Sequence, residues 1–305
     1  MLAGDRRGVA RAISLAEDGH ASAAPVLAQL YPHTGRARTV GLTGPPGVGK
    51  SSLIDALCAH LREGGQSVGV LSVDPSSQRT QGALLGDRIR LSRHFLDPGV
   101  FIRSMGTRGH LGGVSEATMF AGAILDASGR DVVVYETVGV GQSEIEIGQL
   151  VDTVVLVLMP GSGDAIQALK AGVMEIPDII CINKADHPSL DRLRAELAQI
   201  LGLAEPAERP AMVETVALDG AGVPDLWLAV CAHRDGLAKT GELASRRRAQ
   251  LERELITLAA ARIARELERT LREQPELAAV IDRVAERTLD PLAAVQALLA
   301  RTRNA

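Results

Sequence analysis

The run Gly44-Pro45-Pro46-Gly47-Val48-Gly49-Lys50-Ser51 constrains this chain more than any other feature, because it fills the pattern G-x-x-x-x-G-K-[ST] between a strand and a helix. Before it, Thr39 to Leu42 reads as a short apolar strand. After it, Ser52 to Leu61 carries Leu53, Ile54, Leu57 and Leu61 at helical spacing. Such a loop turns backbone N–H groups toward phosphate oxygens at a helix N-terminus, where the helix dipole already favours negative charge. Residues Gly44 to Ser52 then line the phosphates, the Lys50 ammonium reaches the terminal ones, and the Ser51 hydroxyl is placed to ligate Mg2+. Strand, loop and helix in this order predict an α/β fold of the P-loop NTPase type, with a mostly parallel sheet flanked by helices.

The rest of the chain extends that pattern. Strands are expected at Thr39–Leu42, Ser67–Val73, Val100–Arg103, Val132–Tyr135, Thr153–Leu158, Ile179–Ile182 and Met212–Thr215, several of them with the unbroken apolar character of parallel strands buried on both faces. Residues 1–36 form an N-terminal helical segment and residues 37–236 the nucleotide-binding domain. Residues 237–305, rich in Ala, Leu, Arg and Glu, form a C-terminal helical extension with a leucine face to bury. Pro275 interrupts the extension, and Asp290-Pro291 caps a last helix. A net charge of −4, and only one Trp, two Tyr and three Phe, argue against a nucleic-acid partner. Cys58, Cys181 and Cys231 are too scattered for a disulfide framework or metal knuckle. The longest apolar run, Val154 to Met159, is too short to span a bilayer, so no membrane is expected and the location is read as cytoplasmic.

The base is read from a second motif. The strand Ile179–Ile182 delivers Asn183-Lys184-Ala185-Asp186, an N-K-x-D sequence, to the sheet edge where ligands bind. The Asp186 carboxylate can accept from both the ring N–H and the exocyclic amine of guanine; a site built on such a pair rejects an analogue lacking it by about 10⁴-fold or more. The backbone amide of Ala217 or Leu218, after the next strand, is available for the guanine oxygen. Glu136 ends another strand, and Gly139, three residues on, can donate its N–H to a γ-phosphate. Residues Val138 to Glu144 are thus a candidate switch. Many GTPases carry a water-positioning Gln directly after this glycine; here Val140 takes that place, which predicts slow intrinsic hydrolysis. Asp74 and Asp87, with Glu136 and Ser51, supply an oxygen shell suited to Mg2+. The glycine-rich stretches Arg103–Glu116 and Gly161–Asp164 fit either switch segments or plain surface loops.

These motifs together resemble the MeaB/ArgK family of P-loop GTPases: the cradle, Asp74-Pro-Ser-Ser77, Leu111-Gly-Gly-Val114, Glu136-Thr-Val-Gly-Val-Gly-Gln-Ser-Glu144, Asn183–Asp186 and Leu289-Asp-Pro-Leu292. The resemblance implies a GTP-binding and GTP-hydrolysing chaperone, cycling between GTP and GDP, that gates cofactor loading and protection of an adenosylcobalamin-dependent acyl-CoA mutase such as methylmalonyl-CoA mutase. It further implies a cobalamin adenosyltransferase as third party, a homodimer joined through the C-terminal helices, and Lys50, Glu136 and Gly139 as the residues at the reacting phosphate. Gly141, Gln142, Asp164 and Lys170 fall at the family's switch positions. Two alternatives remain at this point. A nickel-delivery GTPase would require clustered His or Cys, whereas the seven histidines are dispersed. A P-loop kinase linked to amino-acid transport would pass phosphate to an acceptor instead of water.

Overall fold

The computed structural model describes residues 5–74, 91–106, 116–137, 147–161, 177–202 and 209–302. Among these, β1 (Arg38–Thr43), β2 (Val68–Asp74), β3 (Val100–Gly106), β4 (Val132–Thr137), β5 (Thr153–Leu158), β6 (Ile179–Asn183) and β7 (Ala211–Thr215) form one sheet in the order β3-β2-β4-β1-β5-β6-β7. Every pairing is parallel, so all strands end at one edge. β4 and β5 are buried along their whole length, which explains why Val132–Tyr135 and Thr153–Leu158 lack polar alternation. All seven expected strands are present. β3 runs beyond Arg103 to Gly106, because its partner β2 continues the ladder to Asp74.

Helices cover both faces. α3 (Lys50–Glu63) and α6 (Val223–Thr240) bury Leu53, Leu57, Leu61, Leu226 and Trp227 against Val40, Val70, Val134 and Val155 of the sheet. On the other face α1 (Arg6–Glu17), α2 (Ala23–Leu30) and α4 (Glu116–Ala127) enclose a second core around Ile13, Leu71, Leu125, Val133 and Val154. α5 (Leu190–Leu201) packs Leu193, Leu197 and Leu201 against Leu156, Leu158, Ile180 and Ile182. α1 starts where it does because the Asp5 carboxylate accepts from the Arg7 and Gly8 amides, two donors the first helical turn would otherwise leave unpaired.

The chain divides into two compact units, Met1–Arg247 and Arg248–Ala305. α7 (Glu242–Glu273) begins in the first, where Arg246 grips Asp178 through two 2.9 Å contacts and Arg247 grips Asp152 at 2.7 and 2.8 Å. Asp152 and Asp178 precede β5 and β6, so the segment Glu242–Arg247, which opens α7, is tied to the edge of the sheet opposite the strand ends. The second unit holds the rest of α7, α8 (Pro275–Ala285) and α9 (Pro291–Thr302). α7 stops at Glu273 because Pro275 has no amide to donate, and Pro275 instead opens α8. Asp290 caps α9 by accepting from the Leu292 and Ala293 amides at 3.0 Å.

Candidate functional site

The cradle joins the C-terminal end of β1 to the first residue of α3, between strands β4 and β5. Two of its glycines are required by both conformation and space. Gly44 has φ 136° and Gly49 has φ 96°, in the region that side chains disfavour. A Cβ at Gly44 would strike the Val157 carbonyl oxygen, and one at Gly49 the Asn183 amide. Pro45 is buried, Pro46 and Gly47 face solvent, Val48 is fully buried beneath the loop, and Ser52 is half-buried in the first turn of α3. Lys50 and Ser51 are buried at the mouth. Lys50 Nζ donates back to Gly44 O at 2.5 Å and Pro45 O at 3.1 Å, so the ammonium is held across the space the loop encloses.

Glu136 comes from the neighbouring strand. Register pairs Leu42, which closely precedes the cradle, with Glu136, and this brings the carboxylate to Ser51: Ser51 Oγ donates to Oε1 at 2.6 Å. Ser72 of β2 donates to Oε2 at 3.0 Å. The carboxylate is 2% exposed. Hydroxyl and carboxylate oxygens in a buried corner beside a phosphate cradle are the hard donor set that suits Mg2+. Asp74 ends β2, but its side chain lies outside the described residues, as do Asp87, Gly139, Gly141, Gln142, Asp164 and Lys170. Among the described residues no three His, Cys, Asp or Glu side chains cluster around one point.

Asn183, 1% exposed, links three segments. Its Nδ2 donates to Val48 O at 2.9 Å, while its Oδ1 accepts from Thr215 Oγ1 and from the Ala217 amide, both at 3.1 Å. The cradle, the end of β6 and the loop after β7 are thereby locked together. Lys184 adopts the left-handed φ of 58°, and its Nζ crosses to Gly47 O at 3.0 Å and Met159 Sδ at 3.2 Å. Asp186 is exposed, and its carboxylate has no partner among the described residues. Of the two amides read as candidates for the guanine oxygen, Ala217 already donates to Asn183, while that of Leu218 makes no hydrogen bond among the described residues. The Leu218 side chain is 92% exposed.

Ser72 carried no signal in the sequence, since a serine inside an apolar strand reads as an ordinary tolerated residue. The Asp152 and Asp178 anchors had a weak one: an aspartate directly before each of two apolar strands, and adjacent arginines far downstream. The thiols of Cys58 and Cys181 are both pushed up to about 12 by burial, as inert packing groups would be.

A seven-stranded parallel sheet, a phosphate cradle after its central strand and an N-K-x-D turn two strands away define a P-loop GTPase. The sequence profile of the methylmalonyl Co-A mutase-associated GTPase MeaB family matches residues 9–271, and the chain belongs to that family. It is 48% identical over 301 residues to a Pyrococcus horikoshii protein named as a GTPase, spanning 97% of this chain and 94% of that one. Over 217 residues it is 38% identical to the mitochondrial methylmalonic aciduria type A homolog of Mus musculus, spanning 69% of this chain and 52% of that protein. The solved structure of an LAO/AO transport system kinase superposes with a TM-score of 0.71 at 26% identity, covering 99% of this chain and 95% of that one. The protein binds guanine nucleotide and hydrolyses GTP.

Proposed function

We propose that this GTPase is a chaperone whose nucleotide state gates cofactor loading and protection of an adenosylcobalamin-dependent acyl-CoA mutase, with methylmalonyl-CoA mutase the first candidate. The match to a mutase-associated GTPase family over residues 9–271 carries the reading. The relative named for methylmalonic aciduria supports it. In this scheme the phosphates lie along Gly44–Ser52, and Lys50 turns from its own loop carbonyls to the terminal phosphate oxygens. Asp186 accepts from the guanine edge, the Leu218 amide donates to the guanine oxygen, and the Lys184 stem and Leu218 side chain flank the ring. Ser51 and Glu136, with Asp74 and Asp87, would hold Mg2+, which would supply positive charge to offset that of the phosphates. Gly139, Gly141, Gln142, Asp164 and Lys170 belong to segments that rearrange with the γ-phosphate, and the mutase reads that rearrangement. Val140, in place of a water-positioning Gln, makes unassisted hydrolysis slow. Leu251, Leu255, Ile256 and Ile263 are exposed on α7, which supports a homodimer formed through residues 237–305. A cobalamin adenosyltransferase is the proposed third party.

The test is nucleotide-dependent association with methylmalonyl-CoA mutase, followed by sedimentation. The parent chain should give a complex whose affinity differs between GTP and GDP. Asp186→Asn should transfer that dependence to xanthosine nucleotides, since the amide can donate to the xanthine oxygen where the carboxylate could only accept. Association indifferent to nucleotide rejects the chaperone reading; Asp186→Asn that keeps its GTP response rejects the base contact.

A further inference from the structure

We infer that Ser72 is a positioning residue for the Glu136 carboxylate and thereby for Mg2+. The inference rests on the reading of Glu136 as a metal-side group. Ser72 pairs in register with Glu136 on the adjacent parallel strand, so the two side chains leave the same face of the sheet. That face is the apolar one under α3: Val68 and Val70, the preceding β2 residues of the same parity, are both fully buried core. A serine at 1% exposure in this series breaks the local pattern, and such breaks are expected where a site needs them.

The hydroxyl has a definite task. Ser51 holds one Glu136 oxygen at 2.6 Å and Ser72 holds the other at 3.0 Å, so the plane of the carboxylate is fixed from both sides. Ser51 belongs to the cradle helix, and its oxygen would be shared between the cation and its bond to Glu136. Ser72 lies on β2, outside the cradle, and its hydroxyl donates to the carboxylate. Ser104, paired with Ser72 in register on β3, continues the row; its Oγ is buried with no hydrogen-bond partner among the described residues. A polar line Ser51–Glu136–Ser72–Ser104 thus runs beside the apolar Val40, Leu42, Val70 and Val134 of the same core. Being neutral, Ser72 contributes orientation and leaves the charge of the site unchanged.

Fluorescent GDP release measured against free Mg2+ tests this. Partners that orient a ligating carboxylate commonly change metal affinity by 10–100-fold. Ser72→Ala should raise the Mg2+ concentration at half-maximal retention by about ten-fold, with release in excess EDTA unchanged. Ser72→Thr keeps the hydroxyl and should stay within about two-fold of the parent. Glu136→Gln serves as the control for the underlying reading. If Glu136→Gln shifts the Mg2+ curve and Ser72→Ala does not, the Ser72 role is overturned. It is also overturned if Ser72→Ala speeds release equally in EDTA, or if Ser72→Thr behaves like Ser72→Ala. If Glu136→Gln leaves the curve unmoved, the metal-side reading of Glu136 itself fails.

Discussion

Replacing Asn183 by Ala should unfasten the cradle from the base site, and the structure allows the cost to be worked out. The side chain makes three buried hydrogen bonds, to Val48 O, Thr215 Oγ1 and the Ala217 amide. Thr215 Oγ1 keeps its 3.3 Å contact with Cys181 Sγ, so two groups are left without a partner, the Val48 carbonyl and the Ala217 amide. A buried polar group stripped of its partner costs about 1–3 kcal/mol. Val48 O lies beside the solvent-facing Pro46–Gly47 segment and can be partly rehydrated, which brings the sum to about 2–4 kcal/mol. With an m-value of about 3 kcal/mol per molar urea, the unfolding midpoint should fall by roughly 1 M. Gly49→Ala provides an internal check. On the parent background its Cβ meets the Asn183 amide as well as the left-handed backbone penalty. With Asn183 already truncated only the backbone penalty remains, about 1–2 kcal/mol. A midpoint loss under about 0.3 M, or a Gly49→Ala cost that is the same on both backgrounds, would refute the strut.

Two further outcomes follow from the same geometry. With Leu218 placed beside the guanine ring as proposed, Leu218→Ala should weaken GTP and GDP alike by about 1 kcal/mol, roughly five-fold; calorimetry showing a change for one nucleotide only would contradict the placement. For Asp178, burial pushes the carboxyl up, but hydrogen bonds from His233 and Arg246, with their charges, outweigh it and leave the group below its ordinary 3.8. A lowered folded-state value means this contribution is present above 3.8 and is lost as pH falls through the folded value. Asp178→Asn should therefore melt below the parent at neutral pH, with the gap closing in acid; melting curves whose separation does not change with pH would refute it.

The two runs proposed to meet the nucleotide were legible in the sequence because each is short and contiguous. Gly44–Ser51 must be a loop between a strand and a helix, since few residues tolerate its backbone angles and the flanks carry the two periodicities. Asn183–Asp186 is legible for the same reason. The structure gives Asn183 a different task from Asp186: it braces three segments, while Asp186 faces solvent. Its three bonds reach residues 135, 32 and 34 positions away, and no local pattern encodes them.

The sequence by itself determined the class of fold, the seven strands and the guanine-directed motifs, because apolar periodicity and turn chemistry act over a few residues. Only the tertiary structure decided the strand order β3-β2-β4-β1-β5-β6-β7, and with it that Ser72 and Ser51, on different elements, grip opposite oxygens of Glu136. It also decided that Arg246 and Arg247, in the opening turns of α7, pair with Asp178 and Asp152 at the far edge of the sheet. Those contacts depend on which strands lie side by side. That is settled by burying the faces of all the strands at once, so no single segment carries it.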